Sequence, residues 1–355
     1  MYKKFVMGIA AMAALTLVSC SSDDLDSFSD NSSKNEAISF DGYLGRSAVA
    51  VNGSRASEVK IDDLQKSDIG FGVFGNYSST EGTGTTPTYG NNWFDNTHVT
   101  YKNSKWTYEP LKYWLPKGHI DFLAYAPYNA GTVKDPYSID FTVSSAIDKQ
   151  IDLLWAHADN QTKAKNPVTF NFNHALAKIG YTVKTNVEGT ATITLKKITL
   201  AGSTATDPAK AFYTEGTIDL SKSNGTNLWT TSTFPERQNF EWYKGTTYDV
   251  TTSPTHPNDN REENKDYLFV IPQNFESGHD NLYVIVDYTI KYNLGKPGTI
   301  NTMDYTVSSK IEKNFEQGKA YMINLNIGLT PIEFNATVNA WPINDKITNY
   351  DIPLN

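Results

Sequence analysis

The sequence predicts an all-β fold of the β-sandwich type. Runs in which apolar and polar residues alternate recur along the chain, and Gly, Pro, Asn and Asp separate them at intervals of about ten residues. Aromatic residues make up 13% of the chain, a composition that favours strands. Helical periodicity is nowhere sustained, and the one helical turn that the pattern suggests runs from His174 to Ile179.

Residues 1–20 have the form of an export signal. Lys3 and Lys4 precede an apolar run from Phe5 to Val18, which is shorter than the ~20 residues that span a bilayer. The run ends in LVSC, which resembles a bacterial lipobox, so we expect cleavage before Cys20 and attachment of lipid to this residue. The alternative is an ordinary signal peptide with an incidental cysteine. Because Cys20 is the only cysteine, the sequence excludes an intrachain disulfide and a cysteine metal site.

A polar tether and a strand with a clear apolar face follow the signal. Residues 21–36 are rich in Ser, Asp and Asn, which is typical of a flexible linker. The segment 37–46 reads AISFDGYLGR and alternates with the period of a strand. Its apolar face carries four residues: Ile38, Phe40, Gly42 and Leu44. The chain has only four arginines, and one of them, Arg46, ends this segment where a protease could cut.

The rest of the chain is long enough for two domains. Polarity rises between two apolar segments in the run DNQTKAKN, from Asp159 to Asn166, and we place a domain border there. The N-terminal domain then covers residues 37–162 and the C-terminal domain residues 163–355. The net charge of −8 argues against a nucleic-acid partner, because such a partner favours a basic surface.

The sequence contains no catalytic or cofactor-binding signature. Its six histidines do not occur at metal-ligand spacings, and it has neither a nucleophile elbow nor a phosphate-binding glycine loop. His174 lies between Phe172 and Leu176, which favours a structural histidine over a ligand. The loop from His256 to Asp266 has many oxygen atoms but lacks the EF-hand order, which favours a solvated loop over a calcium site. We therefore predict no enzyme activity, no cofactor and no metal.

The aromatic segment from Leu111 to Asn129 has two interpretations. It contains several large rings that would suit a platform for stacking sugars: Tyr113, Trp114, Phe122, Tyr125 and Tyr128. The alternation of Ile120, Phe122 and Ala124 indicates a core strand instead, and we favour the core.

The segment 331–355 begins with the cleanest alternation in the chain, IEFNATVNAW. One face carries the apolar residues Ile332, Phe334, Ala336 and Val338, and Trp341 ends the run. This ladder is similar to that of the segment 37–46, and each begins with Ile-x-Phe. If the first strand were removed, another chain's terminal strand could add to the open groove through backbone hydrogen bonds. Because groove and donor lie on different parts of one subunit, this contact generates a filament.

Six segments carry a family resemblance by their order and spacing. They are LVSC, the ISF…R segment that ends at Arg46, YWLPKGHIDFLAYAPY, DLLWAHA (152–158), VTFNFNHALAKIGYTV (168–183) and INLNIGLTPIEFNATVNAW. Together they resemble the fimbrillin family, the FimA- and Mfa-type subunits of type V pili in Bacteroidota. None of the six is a catalytic signature.

The resemblance implies two tandem transthyretin-like (Greek-key) β-sandwich domains and a structural pilus subunit that serves adhesion. It also implies export as an outer-membrane lipoprotein and cleavage by an arginine-specific or trypsin-like protease. The first strand is then lost, and the subunit polymerises with other copies or related pilus subunits by strand exchange at the cell surface. On this chain the cut would follow Arg46, with Arg55 in GSRAS as the competing site.

The role within the pilus and the function itself each have an alternative. The C-terminal donor segment, which we take to be complete, favours a stalk subunit over a tip or minor subunit. The alternative function is a permanently lipidated surface protein that keeps its first strand and binds glycans or host ligands.

Overall fold

The structure is a computed structural model of the chain. It describes residues 36–43, 59, 61–66, 69–81, 85–134, 137–187, 189, 191–222, 227–231, 233–257, 267–293, 300–329 and 333–340. Within the strand 333–340 it describes the backbone and its pairing.

The first half of the chain forms ten strands in the described residues. They are β1 (Phe40–Tyr43), β2 (Phe71–Ser78), β3 (Phe94–Lys102), β4 (Lys105–Thr107), β5 (His119–Ala126), β6 (Thr132–Lys134), β7 (Ser138–Thr142), β8 (Leu154–Gln161), β9 (Val168–Asn171) and β10 (Asn173–His174). A short helix, α1 (Ile61–Leu64), and two 3₁₀ turns, Ile147–Lys149 and Lys163–Lys165, lie between them.

The second half contains the remaining described strands. They are β11 (Ala177–Thr185), β12 (Ala191–Ala201), β13 (Phe212–Tyr213), β14 (Glu215–Asp219), β15 (Trp229–Thr230), β16 (Arg237–Gln238), β17 (Phe240–Asp249), β18 (Leu268–Val270), β19 (Gln273–Asn274), β20 (Tyr283–Asn293), β21 (Ile300–Lys310), β22 (Asn314–Phe315), β23 (Lys319–Ile327) and β24 (Glu333–Ala340).

A six-stranded sheet with the order β10-β8-β5-β2-β3-β4 organises the N-terminal half. Its central strand β5 is buried on both faces. Phe122 and Ala124 pack in one core, which also contains Ile38 and Phe40; we call it the first core. The alternate residues of β5 pack in the second core, which extends through the C-terminal half. This double burial explains the long apolar run in β5, because neither face of the strand meets water.

Two four-stranded sheets form the C-terminal half, with the orders β18-β11-β23-β24 and β17-β12-β20-β21. Tyr181 from β11 and Trp242 from β17 contact each other between the sheets, with ring centroids 4.6 Å apart. Alternating residues of β11 and β23 are buried, as expected where one face of a sheet covers the core. The arrangement is a sandwich of two sheets around the second core.

A further sheet connects the two halves of the chain. Its order is β15-β14-β7-β6, and β7 pairs antiparallel with β14 from Glu215 opposite Thr142 to Asp219 opposite Ser138. Strand β9 lies after the predicted border at 162/163, yet its Val168 packs in the first core. The division into two tandem domains at that border stays a prediction.

The prediction of an all-β fold is confirmed. The prediction of a helical turn from His174 to Ile179 is wrong, because Ala177 to Ile179 belongs to β11 and pairs with Leu268–Val270. Tertiary pairing here overrides the local pattern. In the part of the chain that the structure describes, no helix is long and apolar enough to cross a membrane.

Candidate functional site

The residues 36–43, which we call the first segment, lie between two stretches of backbone. Residues 112–114 bond to its beginning, and we name them the antiparallel wall. Residues 166–171 bond to its remainder, and we name them the parallel wall. The first segment therefore fills a slot between parts of the chain that lie far from it in sequence.

Backbone hydrogen bonds attach the first segment to the antiparallel wall. The N–H of Ile38 donates to the carbonyl oxygen of Lys112 at 2.9 Å, and the N–H of Trp114 donates to that of Glu36 at 3.0 Å. These two bonds flank an antiparallel bridge between Ala37 and Tyr113. The beginning of the first segment thus pairs as a short antiparallel strand.

Strand β1 pairs parallel with β9 in the second wall. Phe40 lies opposite Val168 and Gly42 opposite Phe170. The N–H of Val168 donates to the carbonyl oxygen of Ser39 at 2.8 Å. The first segment therefore runs parallel to this wall and antiparallel to the other.

The side chain of Asn166 extends this pairing before β9 begins. Its Oδ1 accepts a hydrogen bond from the N–H of Ser39 at 2.9 Å and lies 3.1 Å from the Ser39 hydroxyl. Its Nδ2 donates to the carbonyl oxygen of Ala37 at 3.1 Å and to the Glu36 carboxylate at 2.7 Å. A side-chain amide can bond one N–H and one C=O of a strand as a neighbouring backbone would. Asn166 thus continues the parallel wall.

Phe40 occupies a pocket of aromatic rings in the first core and is only 5% exposed. It packs edge-on against Phe94 and Phe122, each with a centroid separation of 5.5 Å. Phe170 stacks on it at 5.6 Å, and Tyr108 lies 5.3 Å away at a tilt. Edge-to-face and stacked pairs of this kind stabilise beyond the area they bury. Phe40 is therefore the main apolar anchor of the first segment.

Tyr108 also bonds the backbone of the first segment. Its hydroxyl donates to the carbonyl oxygen of Ile38 at 2.8 Å, and Ile38 is 1% exposed. Burial raises the pKa of Tyr108 to about 12, so the phenol stays protonated near neutral pH and remains a donor.

The site around Gly42 is small and apolar. A Cβ atom added to this glycine would lie 3.7 Å from Ile61 Cδ1, 3.7 Å from Phe172 Cε2 and 3.7 Å from Phe71 Cε1. These are ordinary van der Waals distances, so a methyl group fits there without movement of its neighbours. A larger side chain would meet all three residues.

The sequence-predicted residues of the first strand are partly described. Ile38 and Phe40 are buried, and Gly42 lies beside buried rings. Leu44 lies outside the described residues. The same holds for three further predicted sites: Cys20, Arg46 and Arg55.

The predicted C-terminal donor segment forms β24 over Glu333–Ala340. This strand pairs antiparallel with β23, from Asn326 opposite Glu333 to Lys319 opposite Ala340. Phe334, Ala336 and Val338 belong to it, whereas Ile332 and Trp341 lie outside the described residues. The donor segment therefore lies at the edge of a sheet of its own chain.

The fold agrees with comparisons to known proteins. The model of a family described as fimbrillin-like matches residues 54–341. The chain belongs to the fimbrillin-like family. No curated protein matches it.

Solved structures also resemble this fimbrillin-like chain. A fimbrial protein from Bacteroides vulgatus is 21% identical, and the match covers 87% of this chain and 100% of that protein with a TM-score of 0.67. Putative cell adhesion proteins from Bacteroides uniformis and Bacteroides ovatus are 16% and 19% identical. Their matches cover 86% and 88% of this chain and 99% of each protein, with TM-scores of 0.48 and 0.47. The first of these likenesses shows the fold that the chain adopts.

Several described histidines of this fimbrillin-like chain make structural contacts. His174 Nδ1 lies 3.0 Å from the buried Asp152 Oδ1, as expected of a structural histidine. His119 Nδ1 contacts the carbonyl oxygen of Thr80 at 2.8 Å, and His98 Nε2 contacts that of Ile69 at 2.9 Å. Across the described residues, no three His, Cys, Asp or Glu side chains form a group that could bind a metal ion. The loop from His256 to Asp266 lies largely outside those residues.

The aromatic segment is mainly core, as predicted. Trp114, Phe122 and Tyr125 are buried, whereas Tyr113 is 45% exposed. Sequence reasoning missed the backbone role of this segment as the antiparallel wall. The sequence gives no signal for this role, because Leu111 and Leu115 are more apolar than Lys112 and yet are 53% and 38% exposed. It also missed Asn166, which it assigned to a domain border.

Proposed function

We propose that this chain is a pilus subunit that is cleaved after Arg46, loses its first strand and polymerises by strand exchange. One observation carries the proposal: the first segment completes the core from a slot between two walls, just before a possible cleavage site. In the assembled pilus, the C-terminal strand of a second copy takes its place.

The consequences of removing the first segment support exchange rather than simple loss. Removal would expose the rings around Phe40 and take away the first-segment partners of backbone groups in both walls, among them Trp114 N–H and Val168 N–H. A buried polar group without a partner costs about 1–3 kcal/mol. The empty slot is therefore a strong acceptor for another strand, whose backbone restores the hydrogen bonds.

The proposed donor must leave its present position. β24 pairs with β23 in its own sheet, so donation replaces this pairing by pairing in a neighbour's slot. Slot and donor lie on different parts of the chain, so each subunit can accept at one end and donate at the other. Such a heterologous contact does not close on itself and forms a filament.

The environment of Arg237 supports selective cleavage in the N-terminal part. Its guanidinium donates to Asp280 Oδ2 at 2.8 Å and to the carbonyl oxygen of Ala211 at 2.9 Å. It also lies 4.1 Å from the ring centre of Tyr213. Because proteases bind extended, accessible segments, an arginine fixed in this way inside a strand is a poor substrate. Arg46 is the proposed site and Arg55 its competitor.

The remaining parts of the proposal follow the family resemblance. Cys20 carries lipid, and the precursor is an outer-membrane lipoprotein until an arginine-specific protease releases it into a surface fimbrium. The two halves of the chain act as tandem transthyretin-like sandwiches with a border at 162/163. The fimbrium serves adhesion, and the subunit is of the stalk type.

Limited digestion tests this proposal. The chain from Ser21 onward is incubated with an arginine-specific protease and followed by intact mass and by an unheated gel. We expect one cut after Arg46, loss of the N-terminal peptide and a ladder of SDS-resistant multimers. A chain that resists cleavage, stays monomeric and binds sugars saturably would contradict the proposal and support the permanently lipidated binding protein.

A further inference from the structure

We infer that the small site at Gly42 fixes the direction and register of the exchanged strand, and that Ala336 of a second copy fills it. This inference rests on the proposed function and names the residue that selects the partner. It predicts that a subunit donates only when its terminal strand carries a small residue two positions after an aromatic one.

The slot has three described subsites of different size along one face of the first segment. The first holds Ile38, and the second holds Phe40 among its aromatic neighbours. The third, at Gly42, has room for a methyl group, because a Cβ there already lies 3.7 Å from three side chains. The order along the chain is therefore aliphatic, aromatic and small.

The donor sequence has the same order in the same direction. Ile332, Phe334 and Ala336 are spaced by two residues, as Ile38, Phe40 and Gly42 are. Residues spaced by two share one face of a strand. Superposing the two ladders without a shift places the ring of Phe334 at the Phe40 subsite and the methyl group of Ala336 at the Gly42 subsite.

Shifted registers in the same direction do not match the subsites. A shift of two residues one way places Phe334 at the Gly42 subsite, where three side chains already contact the position of a Cβ. A shift of two the other way places Val338 there and leaves Ala336 in the aromatic pocket. Shifts of one residue turn the polar face of the donor, with Asn335, into the core.

The reverse direction fails for the same reason. A reversed strand with Phe334 at the Phe40 subsite places Ile332 at the Gly42 subsite, which is too small for it. A reversed strand with Ala336 at the Gly42 subsite places Val338 in the aromatic pocket. Among these four donor residues, only the same-direction, unshifted register fills the aromatic pocket with a ring and the small site with a methyl group.

This register fixes which residues become neighbours. In β1, Asp41 lies opposite Thr169 of the parallel wall, and both are exposed. Asn335 of the donor takes the position of Asp41, so it lies opposite Thr169. The donor strand then runs parallel to β9.

Disulfide trapping tests the register. The only native cysteine, Cys20, is removed by cleavage after either candidate arginine, so introduced cysteines stand alone. Thr169→Cys is combined with Asn335→Cys, and with Glu333→Cys or Thr337→Cys as controls shifted by two residues. The processed chains are oxidised and analysed on reducing and non-reducing gels. Directly opposed strand residues lie within the Cα separation that a disulfide requires.

We expect the Asn335→Cys pair to give the strongest reducible multimers. A ladder in which the Glu333→Cys or Thr337→Cys pair is trapped instead would overturn the register and leave strand exchange standing. Absence of any multimer of the processed wild-type chain on an unheated gel would instead overturn the proposed function. The two failures are therefore distinguishable.

A size series tests the small site itself. Ala336→Leu should reduce the yield of multimers about tenfold or more, because overpacking of a filled site is unfavourable. Thr337→Leu on the other face is the matched control and should polymerise normally. Ile61→Ala removes one neighbour of the small site and should partly restore multimers of Ala336→Leu. Equal yields from Ala336→Leu and Thr337→Leu would overturn the inference.

Discussion

Asn166 bonds the backbone of Ser39 across 127 residues of sequence, with its Oδ1 2.9 Å from the Ser39 N–H. The same amide donates to the carbonyl oxygen of Ala37. One side chain thus satisfies both a donor and an acceptor of the first segment, immediately before backbone pairing takes over at Val168. Side-chain bonds to its backbone, as well as apolar packing in the first core, therefore hold the first segment in the slot.

Replacement of this amide should loosen the first segment without disturbing the rest of the fold. We expect Asn166→Ala to lower the free energy of unfolding by about 1–3 kcal/mol, because it leaves part-buried backbone groups without partners. Hydrogen exchange of the Ser39 amide should become faster. Asn239→Ala is the control, because that amide also accepts from a backbone N–H, of Ala211, and donates to a carbonyl oxygen, of Pro208, away from the first segment. Unchanged exchange at Ser39 would contradict the assigned role.

Removal of the aromatic anchor should destabilise the precursor. Phe40→Ala empties a pocket between four rings, and we expect a loss of about 3–5 kcal/mol in the free energy of unfolding, measured with a chemical denaturant. Asp41→Ala, at the exposed neighbouring position, should change it by less than about 0.5 kcal/mol. Equal effects of the two substitutions would show that Phe40 does not anchor the segment.

The hydroxyl of Tyr108 should contribute through its bond to Ile38. We expect Tyr108→Phe to lower the free energy of unfolding of the precursor by about 1–2 kcal/mol. Tyr77→Phe is the control and should lower it less, because the bond that it removes, to the carbonyl oxygen of Lys117, is exposed. Folding raises the pKa of Tyr108 from 10.0 to about 12. The stability that the protonated hydroxyl contributes to the folded precursor is therefore fully present below pH 10 and is lost as the pH rises toward about 12. Chemical denaturation of the unsubstituted chain and of Tyr108→Phe at pH 7 and pH 11 measures the effect of the substitution and its dependence on pH.

Cleavage should depend on one arginine. We expect Arg46→Lys to abolish processing by an arginine-specific protease and with it the ladder of multimers. Arg55→Lys should leave both unchanged, and Arg237→Lys should as well, since that guanidinium is bound to Asp280. Intact mass identifies the cut in each variant. Loss of the ladder in Arg55→Lys with normal assembly of Arg46→Lys would assign the site to Arg55.

Alternation in the sequence predicted the strands but not their partners. The pattern of Ile38 and Phe40 predicted a half-buried strand, and the structure buries both side chains. That β1 pairs with β9 was not predictable from this pattern, because alternation specifies a face and not a neighbour. The same limit applies to β24, whose alternation did not identify β23 as its neighbour.

The polar parts of the site were the hardest to predict. Asn166 lies in a hydrophilic run that suggested a domain border. Its role was not predictable, because asparagine is common in loops and the sequence does not distinguish one whose side chain bonds a distant strand. Gly42 was assigned to the apolar face, but the size of its subsite depends on Ile61, Phe71 and Phe172. Such distant contacts have no local signature.

A competition experiment tests the central claim, that the slot is filled by whichever suitable strand is present. Processed protein is mixed with a large excess of the peptide EAISFDGYLGR, residues 36–46, and multimers are measured on an unheated gel. We predict that this peptide suppresses the ladder and that the same peptide with Phe40→Ala does not, because it lacks the aromatic anchor. A ladder unaffected by the native peptide would contradict strand exchange at this slot.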